Sequence, residues 1–276
     1  MSKSNSITKH NHLVEASYRL TLDEQRLLLM CISRINPYEP LPEGNRFEVT
    51  TEEFCEVFDV DPKTAYDQMK EAADRLAERW IIVNGDRHHR IRWLDETKYV
   101  HGEGRVVIGF SPKVAPYLSA LSQDFTEYKL GQIADFKSVH SIRLYELLIR
   151  FDDTGIRLIT VDQLKDRLDL SDQYPQFAKL KQWVIDPAVE EINGKSDLKV
   201  DWRPIRKKRV VHTLEFKYTK EQPPAQIPEK LVKRRKQALK AAPPPEVPPE
   251  PVSEEAVAKE LALMRATLGI AKKSTD

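Results

Sequence analysis

TVDQLKDRLDL, residues 160–170, lies over TTEEFCEVFDV, residues 50–60, and this pairing decides the fold. Thr160 falls on Thr50, Leu164 on Phe54, Leu168 on Phe58, Asp169 on Asp59 and Leu170 on Val60. With one residue inserted beyond that point, Phe177 meets Tyr66, Leu180 meets Met69 and Lys181 meets Lys70. Upstream, Arg143-Leu144 lie over Arg26-Leu27, and Leu147 over Met30. Order and spacing agree across three helical patterns, as expected if one supersecondary unit occurs twice.

The first copy gives the plan. Thr21 and Glu24 form a capping box ahead of an apolar run, predicting a helix from about Leu22 to Arg34 that stops at Asn36-Pro37. A short strand at Phe47–Val49 precedes a second capping box, Thr50 with Glu53. Asp61-Pro62 starts a third helix, running to about Arg79. Strands at Trp80–Val83, Ile91–Trp93 and Val106–Phe110 should form a small sheet, with Arg87-His88-His89-Arg90 in its first turn. This order is that of a winged helix-turn-helix.

In the second copy the helices are Ser138–Arg150, Asp162–Leu168 and Phe177–Asn193, the last interrupted or kinked at Pro187. A hairpin of Leu198–Arg203 and Val210–Tyr218 closes it, with Val210, His212, Leu214, Phe216 and Tyr218 expected on one face. The predicted class is α+β: two tandem winged-helix domains related by internal repeat, then a proline-rich linker and a C-terminal amphipathic helix. The expected divisions are a disordered lead over 1–12, a first domain over 13–132, a second over 133–220 and a tail over 221–276. A short link near Leu130–Ala134 joins the domains.

The tail holds nine of the 18 prolines, between Pro223 and Pro251, and a basic run within Lys230–Lys240. After Ser253, Val257, Leu261, Met264 and Leu268 recur at helical spacing.

Composition excludes several classes. No stretch nears 18 consecutive apolar residues and no apolar leader opens the chain, so the expected place is the cytoplasm, with no membrane partner. Cys31 and Cys55 sit in apolar helical patterns and read as core. No P-loop and no Cys-x-x-Cys occur. His10-Asn11-His12 and His88-His89 lack a metal-site context. The expectation is a non-enzymatic chain with no cofactor and no metal.

Net charge is only +1, so a nucleic-acid footprint must be local. Segment 199–220 supplies one, with eight Lys or Arg against Asp201 and Glu215. Its Arg206, Lys207, Lys208 and Arg209 can straddle phosphates. Within YPQFAKLKQWVIDPAVEEIN (174–193), Phe177, Leu180, Val184, Ala188 and Ile192 share one side. Gln176, Lys179 and Gln182 face the other way, with Lys181 on a flank. These donors suit a helix entering a major groove. The first domain presents Lys63, Thr64, Gln68 and Arg75, together with the acid Glu71, and its wing carries Arg87 and Arg90. The second domain is therefore expected to be the stronger reader, with the first giving weaker contacts, a protein interface, or both.

Residues 10–218 resemble the plasmid replication initiator (Rep) proteins with twin winged helices, which bind the repeated origin sites called iterons. The resemblance rests on TLDEQRLLL (21–29), FSPKVAPYLSAL (110–121), FTEYKL (125–130), SIRLYELL (141–148), the 174–193 stretch and the basic hairpin. It implies double-stranded origin repeats and an operator as ligands, origin opening by the monomer, and autorepression by a dimer made through the first domain. It also implies the host replication initiator and replicative helicase as partners, and carries Lys179, Lys181 and Gln182 over as DNA contacts. The alternative is a winged-helix transcriptional repressor with no replication role. Two domains on adjacent major grooves predict a site of about two helical turns, each roughly 34 Å.

Overall fold

The structure is a computed structural model that describes residues 5–221 except 84, 101 and 152. The proline-rich linker and the terminal helix expected in the tail lie outside the described residues.

Residues 6–12 are ordered elements rather than a loose lead. β1 (Ser6–His10) pairs antiparallel with β7 (Phe125–Lys129), setting Ile7 opposite Tyr128, and α1 (Asn11–Val14) follows directly. The expectation of disorder over 1–12 is thus corrected from residue 6 onward. A strand with four polar residues of five forms because Ile7 and Lys9 are fully buried, and the Lys9 ammonium meets Glu146 at 2.5 Å. A partner 137 positions away leaves no local trace in the sequence.

The first winged helix comprises α2 (Leu22–Ile32), β2 (Arg46–Thr50), α3 (Thr51–Phe58), α4 (Pro62–Ala77), β3 (Trp80–Ile82), β4 (Arg90–Arg92), β5 (Leu94–Val100) and β6 (Arg105–Phe110). Both expected capping boxes form: Thr21 with Glu24 opens α2, and Thr50 with Glu53 opens α3. Asp61 caps α4, whose first residue is Pro62. The single small sheet expected here is two sheets. β3 pairs with β4 and bridges at Ile82 to Ser17, while β6 lies between β2 and β5. β5 was not expected. Its sequence, LDETKYV, is polar because only Leu94 is buried; the strand is held at a sheet edge by β6.

The second winged helix comprises α5 (Val139–Ile149), β8 (Ile156–Thr160), α6 (Val161–Arg167), a composite third helix, β9 (Leu198–Lys207) and β10 (Val210–Lys220), with β10 central in its sheet. The internal repeat is exact in its details of chain reversal. Thr160 and Gln163 form a capping box where Thr50 and Glu53 do. Asp59 and Asp169, paired in the repeat, both take left-handed backbone, at φ 53° and 51°. Aspartate tolerates that region better than most residues.

The third helix is α7 (Phe177–Leu180), a π-helical turn (Lys181–Ile185) and α8 (Asp186–Lys195). The break therefore precedes Pro187 rather than falling on it. A proline ring clashes with the carbonyl four residues back, and a widened turn over 181–185 removes that clash. The even alternation expected on β10 also fails at its start. A bulge between Val211 and Thr213 displaces His212, so Val210 and His212 are exposed while Leu214, Phe216 and Tyr218 are buried.

The two winged helices form one compact body with a continuous core. The segment expected as a short link is part of it: Leu130, Gln132 and Ile133 are buried. The repeated Arg-Leu pair holds the halves together. Arg26 on α2 donates to the Phe136 carbonyl, 3.2 Å, just ahead of α5. Its counterpart Arg143 on α5 donates to the Val14 and Ala16 carbonyls, 3.1 and 3.0 Å, ahead of α2. Glu15 adds a second lock, taking ion pairs from Arg150, Arg157 and Arg167. Burial alone would raise the Glu15 carboxyl; the three guanidinium groups, Arg157 foremost, overcome it and hold the group below the usual carboxylate range.

Candidate nucleic-acid interface

The exposed side of the third helix in the second winged helix carries Gln176, Lys179, Lys181, Gln182 and Trp183. Leu180, Val184, Ile185, Ala188 and Ile192 are buried beneath them. Gln176 is the cap residue of α7 and makes no side-chain capping bond. Lys181 is tethered. It forms an ion pair with Asp186 and its ammonium lies 5.5 Å from the centre of the Trp202 ring. A π-helical turn sets residues five apart side by side, which is why 181 and 186 meet. Trp202 belongs to β9, stacks on Phe216 within the hairpin and meets the Phe177 ring of α7 at 6.4 Å, so it ties the helix to the hairpin.

Arg206, Lys207, Lys208 and Arg209 are all exposed. They do not all lie in a loop, because β9 runs past the expected end at Arg203 to Lys207. Arg206 and Lys207 end β9, and Lys207 pairs with Val210, so Lys208 and Arg209 alone make the turn. Lys208 takes left-handed backbone at φ 58°. Four cations thus crowd the tip of a long hairpin, whose middle carries the Arg203–Glu215 ion pair. Mutual repulsion at such a tip is relieved when phosphates neutralise it.

The first winged helix is less open. Lys63 and Thr64 are exposed near the start of α4, and Gln68 donates to the Thr64 hydroxyl at 3.1 Å. Arg75 forms an ion pair with Glu71 one turn back. Arg87 points at the second winged helix instead of outward: its guanidinium donates to the Ser171 hydroxyl at 3.0 Å and meets the Asp166 carboxylate at 3.5 Å. Arg90 stacks 5.3 Å from the Trp80 ring centre, and Arg92, not expected from the sequence, lies closer at 4.0 Å. The structure therefore joins the third-helix residues of the second domain to its hairpin through Trp202, and uses Arg87 to connect domains. Among the described residues no group of three or more His, Cys, Asp or Glu is placed to hold a metal. His10 caps α1, its Nδ1 accepting from the His12 backbone N–H at 3.1 Å, and the two rings meet edge to face at 4.9 Å.

The model of the family described as initiator replication protein, WH1, matches residues 6–149, and that of initiator Rep protein, WH2, matches residues 160–218. The chain belongs to the initiator replication protein family. An Escherichia coli replication initiation protein is 26% identical over 207 residues, covering 70% of this chain and 64% of that protein. An uncharacterized 27.6 kDa protein of Escherichia coli is 28% identical over 212 residues, covering 72% and 89%. The crystal structure of Pi initiator protein in complex with iteron DNA superposes with a TM-score of 0.69 at 25% identity, over 80% of this chain and 100% of that one. This initiator-family chain is thus matched from β1 onward, and the first match runs through α5. α5 packs against both β7 and α8, so it serves both halves.

Two features of the surface escaped the sequence reading. Trp183 was placed on neither face of its helix and was given no role. Arg92 was assigned to a strand without notice of Trp80 opposite it in the register.

Proposed function

We propose that this chain is a plasmid replication initiator that binds repeated double-stranded sites at its origin. The observation that carries this reading is the pairing of an exposed, donor-rich helix with a four-cation hairpin tip on a chain of nearly neutral overall charge. The likeness to Pi initiator protein, which is solved with iteron DNA, supports the same reading. The hairpin tip supplies phosphate contacts, which give affinity and register. Gln176, Lys179, Lys181 and Gln182 supply hydrogen bonds to base edges in the major groove. The first winged helix contributes Lys63, Thr64, Gln68 and Arg90 to a second, weaker footprint. In this account the monomer opens the origin and engages the host initiator and replicative helicase. A dimer made through the first domain represses the chain's own promoter, and no bond-making chemistry is involved. Among the described residues no helix is long and apolar enough to cross a membrane.

The test is transformation with a circular DNA bearing only this gene, its flanking repeats and a selectable marker. Autonomous maintenance that is lost when the repeats are deleted supports initiation. Promoter silencing without maintenance contradicts it.

A narrower prediction concerns the tip. Arg206→Ala with Arg209→Ala should weaken binding to every duplex alike and reduce the slope of log K against log salt by about 2. Titrations between low and physiological salt would check it, and an unchanged slope would remove the tip from the interface.

A further inference from the structure

We infer that Trp183 reads the C5-methyl group of a thymine in the duplex site, and so sets specificity where the polar residues of its helix cannot. The four tryptophans differ in their surroundings. Trp93 is buried against Tyr18, Trp80 lies beneath Arg92, and Trp202 stacks on Phe216. Trp183 is the most exposed of the four, at 60%. It stands in the π-helical turn, between exposed Gln182 and buried Val184. Such turns carry an extra residue and recur at functional sites. They also re-aim neighbours: Lys181 is drawn toward Asp186 and the Trp202 ring, leaving Gln182 and Trp183 as the untethered large side chains of this turn among the described residues.

An indole held in water has a large apolar area with no partner, whereas most of a major groove is polar. The one apolar group that a base pair presents there is the thymine methyl. Replacing thymidine by deoxyuridine deletes that methyl and leaves every hydrogen-bonding edge unchanged. This inference rests on the proposed duplex binding.

The experiment begins with a duplex that the full chain selects from a random pool, with each thymine then replaced singly by deoxyuridine. The wild-type chain should lose about fourfold in Kd at one thymine, which is the ~0.8 kcal/mol of a buried methyl at 1.4 kcal/mol per decade. Trp183→Ala, with Trp183→Gln as a second variant, should lose that sensitivity while keeping its responses elsewhere and its melting temperature. Equal responses in wild type and variants, or no methyl-sensitive thymine, would overturn the inference. So would variants that weaken binding to the separated single strand but keep the duplex response, which points to stacking on unpaired bases. Failure of the wild-type chain to select any duplex sinks the proposed function instead, so the two failures are distinguishable.

Discussion

Glu146→Ala is expected to destabilise the body by about 3–5 kcal/mol, the usual cost of breaking a buried ion pair from one side. Glu146 is fully buried on α5 and accepts from three groups: Lys9 Nζ at 2.5 Å, the Tyr128 hydroxyl at 2.6 Å and Arg143 Nη1 at 2.8 Å. Its removal leaves two buried cations facing each other without a counter-charge. Burial would raise its carboxyl, but Lys9 and then Arg143 overcome this and hold it below the usual range, while burial lowers the Lys9 ammonium. A depressed carboxylate stabilises the fold above its ordinary pKa, and that contribution disappears as pH falls through the folded value. Urea unfolding at neutral pH should therefore show the full loss, and the gap between variant and wild type should narrow in acid. A neutral-pH loss below about 1 kcal/mol would contradict the network as described.

A chain that begins at Asn11 should be destabilised further, by about 4–8 kcal/mol. It loses Ile7, worth about 2–5 kcal/mol by analogy with large-to-small core changes, and it strips Glu146 of Lys9. It also exposes the β7 edge that β1 covers. Set against a typical total of about 5–15 kcal/mol, this threatens the cooperative fold itself. Far-ultraviolet circular dichroism melts of the two chains would check it. A truncated chain that melts within a few degrees of the full one would show that β1 is the dispensable lead its composition suggests.

These two cases mark the limit of what the sequence discloses. Helix starts were legible because their signals are local: Thr21 with Glu24, Thr50 with Glu53, and Asp61 before Pro62 each need only a few adjacent residues. The repeat was legible because Asp59 and Asp169 mark the same turn twice. β1 was not, since its evidence is an ion pair to α5. β5 was not, since an edge strand with one buried residue has no apolar alternation to detect. At the interface, the residue types and the exposed faces were legible from helical spacing. The tether on Lys181, the inward use of Arg87 and the shape of the hairpin turn depend on tertiary neighbours: Asp186 across a π-helical turn, Ser171 in the other domain, and Val210 in the strand register. Trp183 was left unassigned because helical spacing gives a face but not the chemistry that an exposed indole could serve there.

The account depends on the second winged helix discriminating between duplexes rather than merely attracting them. The most direct measurement is the Kd of the full chain, at physiological salt, for a duplex bearing the direct repeat beside its gene and for a scrambled duplex of equal length. The account predicts that the repeat binds at least ~10³-fold more tightly, the lower end for specific DNA readers. Equal affinity for the two would contradict it.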